Sequence, residues 1–93
     1  MKPTKLFHCT TPKKAAAYRA TGHIISPVRG FTTIEAALAW CAKTHRTVIL
    51  EVSGWRDENI HKLPDHHNQF GMAFWVDDNV EDWRGAFNVD SDA

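Results

Sequence analysis

Five consecutive polar side chains, Asp65-His66-His67-Asn68-Gln69, run straight into an apolar segment, Phe70-Gly71-Met72-Ala73-Phe74-Trp75-Val76. Carboxylate, imidazole and amide groups bind ligands and move protons, and beside a buried element they read as one wall of a site. The same groups also cap strand ends and satisfy loop backbone, so both roles stand open. Three further positions could join that wall. His8 and Thr10 lie two apart in an extended stretch, so an imidazole and a hydroxyl face the same way and can meet one ligand, or can serve as edge groups with backbone partners. Arg29 stands between Pro27 and Gly30, and its planar fork suits phosphate or carboxylate, unless it is solvated or paired with an aspartate. Glu51 interrupts a β-branched run. Buried, its pKa would rise and it could serve as an acid or base; wet, it is surface.

Metal chemistry has weaker support. His61, Asp65, His66 and His67 are of ligand type, but no His-Glu-x-x-His or cysteine-rich spacing occurs. Adjacent His66 and His67 point opposite ways in extended backbone. No metal is expected. No glycine-rich loop suggests a triphosphate site.

Elements that could hold these groups can be read from the periodicity. Lys5 to Thr10 alternates as a strand, with Leu6, His8 and Thr10 on one face. Thr11 and Pro12 open a helix as N-cap and first helical residue, and Gly22 closes it. His23 to Ser26 reads as a short strand, and Pro27 to Phe31 as a connector. Thr32 to Lys43 is a helix with Thr32 and Glu35 at capping-box spacing and an apolar stripe of Ile34, Ala37, Leu38 and Cys41. Thr47 to Ser53 is a strand with Val48, Leu50 and Val52 on one face. Residues 54–69 read as a long polar loop, of the kind often tied to function. Phe70 to Val76 is a strand in which Gly71 suggests a bulge. Asp77 to Asn79 is a turn, Val80 to Val89 a last strand packed by Trp83 and Phe87, and Asp90 to Ala93 a frayed end. Helices early and strands late point to an α+β domain with a mostly antiparallel sheet.

The 93 residues make one domain with one thin core, to which four Trp and five Phe give large burial per residue. Cys9 and Cys41 sit in apolar patterns and are expected as reduced core thiols, with one disulfide as the lesser alternative. No stretch nears membrane-spanning length and Met1 to Lys5 lacks a signal-peptide core, so a cytoplasmic protein without membrane contact is expected. The net charge is zero, but it is split. Residues 1–46 carry eight Lys and Arg against Glu35 alone, a balance of +7, and residues 47–93 carry three cations against ten acids, a balance of −7. The basic half could meet a phosphate-bearing ligand or, with Lys13, Lys14 and Arg19 on one helix, nucleic acid; the acidic half could hold a basic protein partner; or the halves could pair with each other.

Leu6-Phe7-His8-Cys9-Thr10, the helix ending at Gly22, the apolar pair Ile24-Ile25 and the segment Arg29-Gly30-Phe31-Thr32 form an ordered set. This set resembles the start of the ADP-ribosyltransferase-like fold, whose first-strand His-x-Thr/Ser contacts the NAD ribose. Over about residues 5–76 the chain is also similar to small bacterial domains of unknown function with that fold, through His8-x-Thr10, Gly30-Phe31, the strand Val48 to Val52, and the segment His66 to Gly71. The resemblance implies a cleft for NAD or another nucleotide, an RNA phosphate included. His8 and Thr10 would hold the ribose, Arg29 a phosphate, and His66, His67 and Asn68 would complete the wall. Glu51 and His8 would be the catalytic groups, Glu51 stabilising oxocarbenium charge if the domain is a transferase. From a different class comes a second expectation: a small non-enzymatic binding or inhibitor protein, of phage or mobile-element type, using its acidic half and exposed tryptophans.

Overall fold

A computed structural model describes residues 2–64 and 72–88. Strand β1 (Lys5–Thr10), helix α1 (Pro12–Thr21), strand β2 (Val28–Phe31), helix α2 (Ile34–Thr44) and strand β3 (Val48–Ser53) fill the first half of the chain. A single 3-10 turn (Asp57–Asn59) and strands β4 (Ile60–Lys62), β5 (Ala73–Val76) and β6 (Asp82–Asn88) follow. The six strands form one sheet of order β4-β5-β2-β1-β3-β6, and every neighbouring pair is antiparallel. The α+β class expected from the sequence is what the chain adopts.

Both helices start where local chemistry dictates. Thr11 accepts from the Lys14 amide and Pro12 takes the first turn, where an amide hydrogen would have no partner. Gly22 ends α1 at φ 85°, a left-handed conformation that glycine adopts without a Cβ clash. For α2 the cap is Thr33 rather than Thr32, its hydroxyl accepting from the Ala36 amide. Thr32 is committed elsewhere, giving its amide to the Met72 carbonyl at 3.2 Å. The capping box expected between Thr32 and Glu35 is therefore absent.

The sheet is covered on both faces, which gives two cores. Leu6, Val28, Leu50, Val52, Ile60 and Val76 point to one side, where Ala15 of α1 joins them with Tyr18 and Trp83 packed against the cluster. Cys9, Phe31, Ile49 and Ala73 point to the other side, under Ala37 and Cys41 of α2, with Ile34, Leu38 and Trp40 packed alongside. Because β2 and β3 flank β1 and are joined through α2, that helix crosses over the central strand. Both cysteines are free and buried, as expected for core thiols. Cys9 donates to the Ala37 carbonyl at 3.2 Å, and burial pushes both thiols above their ordinary pKa.

Three segments differ from the sequence reading. The strand expected at His23 to Ser26 is reduced to one bridge, Ile24 with Val80, while the supposed connector supplies β2. Ser26 gives its amide to the Asn79 side chain and Pro27 has none to give, so the ladder starts at Val28. The long loop at 54–69 contains the 3-10 turn and β4, whose Ile60 is fully buried; three residues are too few for alternation to show. Phe87, expected to pack the last strand, is 43 % exposed. Gly71 lies outside the described residues.

The two-sided core has a measurable consequence. Ile49 is fully buried beneath α2, so Ile49→Ala should cost roughly 2–5 kcal/mol. Leu38, only half-buried, should cost less on the same change. Chemical denaturation midpoints of the two variants test this, and equal losses would contradict the packing described.

Candidate functional site

Strand β1 is bound unequally to its two neighbours. Against β3 it holds a continuous register from Lys5↔Ser53 to Thr10↔Val48. Against β2 the register contains Phe7↔Phe31 alone. Beyond that pair the strands part, and the His8 ring reaches across the gap to the Arg29 carbonyl, Nδ1 to O at 2.6 Å. A carbonyl only accepts, so Nδ1 carries the proton and Nε2 keeps its lone pair. Gly30 keeps the closed end tight: a Cβ there would sit 2.8 Å from Leu6 Cβ and 2.9 Å from the Phe7 carbonyl oxygen.

A cleft of about 420 Å³ occupies the opening, a size suited to a small ligand. Residues from both sheet faces line it. His8, Thr10, Lys14 and Tyr18 come from the α1 side. Cys9, Phe31, Trp40 and Ala73 come from the α2 side, where Trp40 and Phe31 lie with ring centres 6.1 Å apart. The Tyr18 hydroxyl stands 3.4 Å from His8 Nε2 and 3.4 Å from Thr10 Oγ1. These are long contacts that can shorten on a ligand.

The electrostatics of the cleft are one-sided. Lys14, Arg29 and Arg46 line it, and among the described residues no carboxylate does. None of the three cations has an ion-pair partner among the described residues. His8 is held below its ordinary pKa of 6.5, chiefly by burial; the Arg29 carbonyl opposes this, while the charges of Arg46 and Lys14 reinforce it. At neutral pH His8 is therefore an uncharged imidazole with a fixed tautomer.

Of the residues singled out from the sequence, His8, Thr10 and Arg29 are brought together. Glu51 is not. Its cross-strand partners are Phe7 and Arg84, whereas His8 pairs with Leu50, so Glu51 and His8 project from opposite faces of the sheet. Arg84 grips its carboxylate with Nε at 3.1 Å and Nη2 at 2.9 Å, and Lys5 lies 3.9 Å away. Asp65, His66, His67, Asn68 and Gln69 lie outside the described residues. His61 is turned to Asp77 at 2.9 Å and stacked on Trp75, and among the described residues no cluster of metal-ligating groups forms.

Tyr18, Arg46 and Trp40 were missed, and Lys14 was read only as one of three helix cations open to nucleic acid. A signal for two of them existed. A helix that starts directly after a His-x-Thr strand folds back over it, and Lys14 and Tyr18, four apart, share one face. Arg46 and Trp40 carried no such mark, because their approach depends on how α2 crosses β1.

Two outcomes follow from this geometry. The depressed His8 pKa means that the unfolded chain binds a proton the native state resists. This contribution is complete above pH 6.5, is lost as the pH falls below it, and levels off beneath the native-state value. Denaturation midpoints measured from pH 7.5 to 5 should fall more steeply for the wild type than for His8→Gln; parallel curves would contradict the assignment. Glu51→Gln, on the far face, should change stability by roughly 0–1 kcal/mol, as for an exposed pair, and leave occupancy of the cleft unaltered. Altered ligand affinity in that variant would return Glu51 to the site.

No family model, curated protein or solved structure matches the chain, so its function is argued from the residues and geometry of this cleft.

Proposed function

We propose that this chain is a nucleotide-binding domain of ADP-ribosyltransferase-like kind, taking NAD or a related phosphorylated nucleotide between β1 and β2. The observation that carries the reading is the meeting of Lys14, Arg29 and Arg46, without a carboxylate among the described residues, around a cleft opened beside His8 and Thr10. The charges of Lys14 and Arg46, both acting on His8, favour an anion in this concavity, and a diphosphate offers the matching charge and several acceptors. Phe31 and Trp40 on the α2 side provide flat apolar surface for a ring. His8 and Thr10 on the α1 side offer hydrogen-bonding groups to a sugar. The ordered motifs of the sequence agree with this arrangement. Binding has more support than transfer, since the acid expected to stabilise an oxocarbenium ion lies on the opposite face.

A second reading draws on the β6 edge, where Glu81 and Asp82 are exposed at one end of the strand and Phe87, 43 % exposed, lies near the other. That surface would suit a basic protein partner rather than a nucleotide.

Calorimetric titration with NAD, ADP and adenosine separates the two. ADP and NAD should bind at least about tenfold more tightly than adenosine, and Arg46→Ala and Lys14→Ala should each weaken ADP by about ten- to a hundredfold, the scale of a charged hydrogen bond. Backbone amide shifts should centre on residues 8–10, 29–31 and 46. Equal affinity for ADP and adenosine, or no binding of either, would sink the nucleotide reading.

A further inference from the structure

The Tyr18 hydroxyl occupies a defined place in the cleft. It lies between two partners whose hydrogen-bonding roles are already set. His8 Nδ1 gives its proton to the Arg29 carbonyl, so Nε2 accepts, and the Tyr18 hydroxyl at 3.4 Å donates to it. Thr10 donates from Oγ1 to the Tyr18 oxygen, also at 3.4 Å. The phenol has then used its one proton and one acceptor position. Its remaining lone pair belongs to a group that lines the cleft. Trp83 packs edge-on against the Tyr18 ring at 6.5 Å between centres, and the His8 ring lies 6.0 Å away on a tilted plane, so the ring is held from two sides.

We infer that Tyr18 is a specificity-determining residue, whose hydroxyl accepts a hydrogen bond from a free sugar hydroxyl of the phosphorylated ligand and so selects ribonucleotides over their deoxy counterparts. This rests on the nucleotide-binding reading and adds a chemical requirement to it. The cations recognise phosphate and are indifferent to the sugar. The Thr10–Tyr18–His8 chain recognises a hydroxyl and is indifferent to phosphate. A ligand lacking the hydroxyl leaves an acceptor in the cleft unfilled, and such omissions are discriminated more strongly than the loss of apolar contact.

The protonation state of His8 gives the chain a direction. With Nε2 unprotonated, Tyr18 donates to His8 and keeps a lone pair for the ligand. Once Nε2 is protonated it becomes a donor; the Tyr18 oxygen then accepts from both His8 and Thr10, its freed proton turns to the ligand hydroxyl, and that hydrogen bond reverses direction. The groups facing His8 are the Arg29 carbonyl from β2, Lys14 and Tyr18 from α1, Arg46 after α2, and Leu50 across β3.

The test compares ADP with 2′,3′-dideoxy-ADP by calorimetry on the full chain. Wild type should prefer ADP by about three- to tenfold, the worth of one neutral hydrogen bond. Tyr18→Phe, which keeps the ring between Trp83 and His8, should bring that ratio near one, and Thr10→Val should reduce it. Arg46→Ala should weaken both nucleotides together and preserve the ratio. In wild type the preference should change as the pH falls through the His8 titration, because the Tyr18–ligand hydrogen bond reverses direction, whereas in Tyr18→Phe it should stay flat. A merely structural Tyr18 would not produce that pH dependence. A wild-type ratio of one, or a ratio unchanged in Tyr18→Phe, overturns the inference while leaving the nucleotide reading intact. If neither nucleotide binds, both fall.

Discussion

The hydrogen bond between His8 Nδ1 and the Arg29 carbonyl is the interaction on which the site depends. In a regular antiparallel pair the backbone of β1 would claim that carbonyl, and the two central strands would zip together past Phe7 and Phe31. A side chain claims it instead. The carbonyl is satisfied, the strands remain apart, and the opening costs no orphaned acceptor at that position. Gly30 supplies the complementary constraint, since only a residue without a Cβ lets Leu6 and the Phe7 carbonyl approach so closely at the closed end. One histidine and one glycine thus define a cleft beside β1 whose lining residues come from both faces of the sheet.

Charge is organised by this cleft rather than by halves of the sequence. The split between a basic first half and an acidic second half could have meant mutual neutralisation. Among the described residues the links are modest: Lys5 with Glu51 at 3.9 Å, and Lys2 to the Asp57 carbonyl. Glu51 satisfies Arg84 on the side of the sheet away from His8. Lys14 and Arg46 are left to act in concert on His8.

Much of this arrangement was legible in the sequence, and the failures have physical causes. β1, α1 and β3 are long enough for period and capping to declare themselves, and Thr11, Pro12 and Gly22 are strong local marks. β2 was hidden because Pro27 and Gly30 read as breakers, although Pro27 lies just before the ladder and Gly30 is required by close approach. β4 was hidden by its three-residue length. Thr33 caps α2 in place of Thr32, whose amide instead joins the Met72 carbonyl, a contact forty residues away. In the cleft, His8, Thr10 and Arg29 were visible from residue type and spacing. Glu51 was misplaced because alternation names two faces of a strand without saying which one meets a ligand; with Ile49 beside it in fully buried surroundings, the strand is covered on both sides. Arg46 and Trp40 depend on a helix crossing, which no local pattern encodes.

His8, Thr10 and Tyr18 lie within a single strand-and-helix unit, joined by Thr11 alone. Arg29 and Arg46 arrive from elements further along the chain. The Thr10–Tyr18–His8 chain and Lys14 are therefore placed by short-range geometry, and Arg29 and Arg46 by long-range assembly. Substitutions in the later elements can shift Arg29 and Arg46 while the first twenty-two residues keep their hydrogen-bonding pattern. The two groups of side chains are thereby separable, each open to change without rewriting the other.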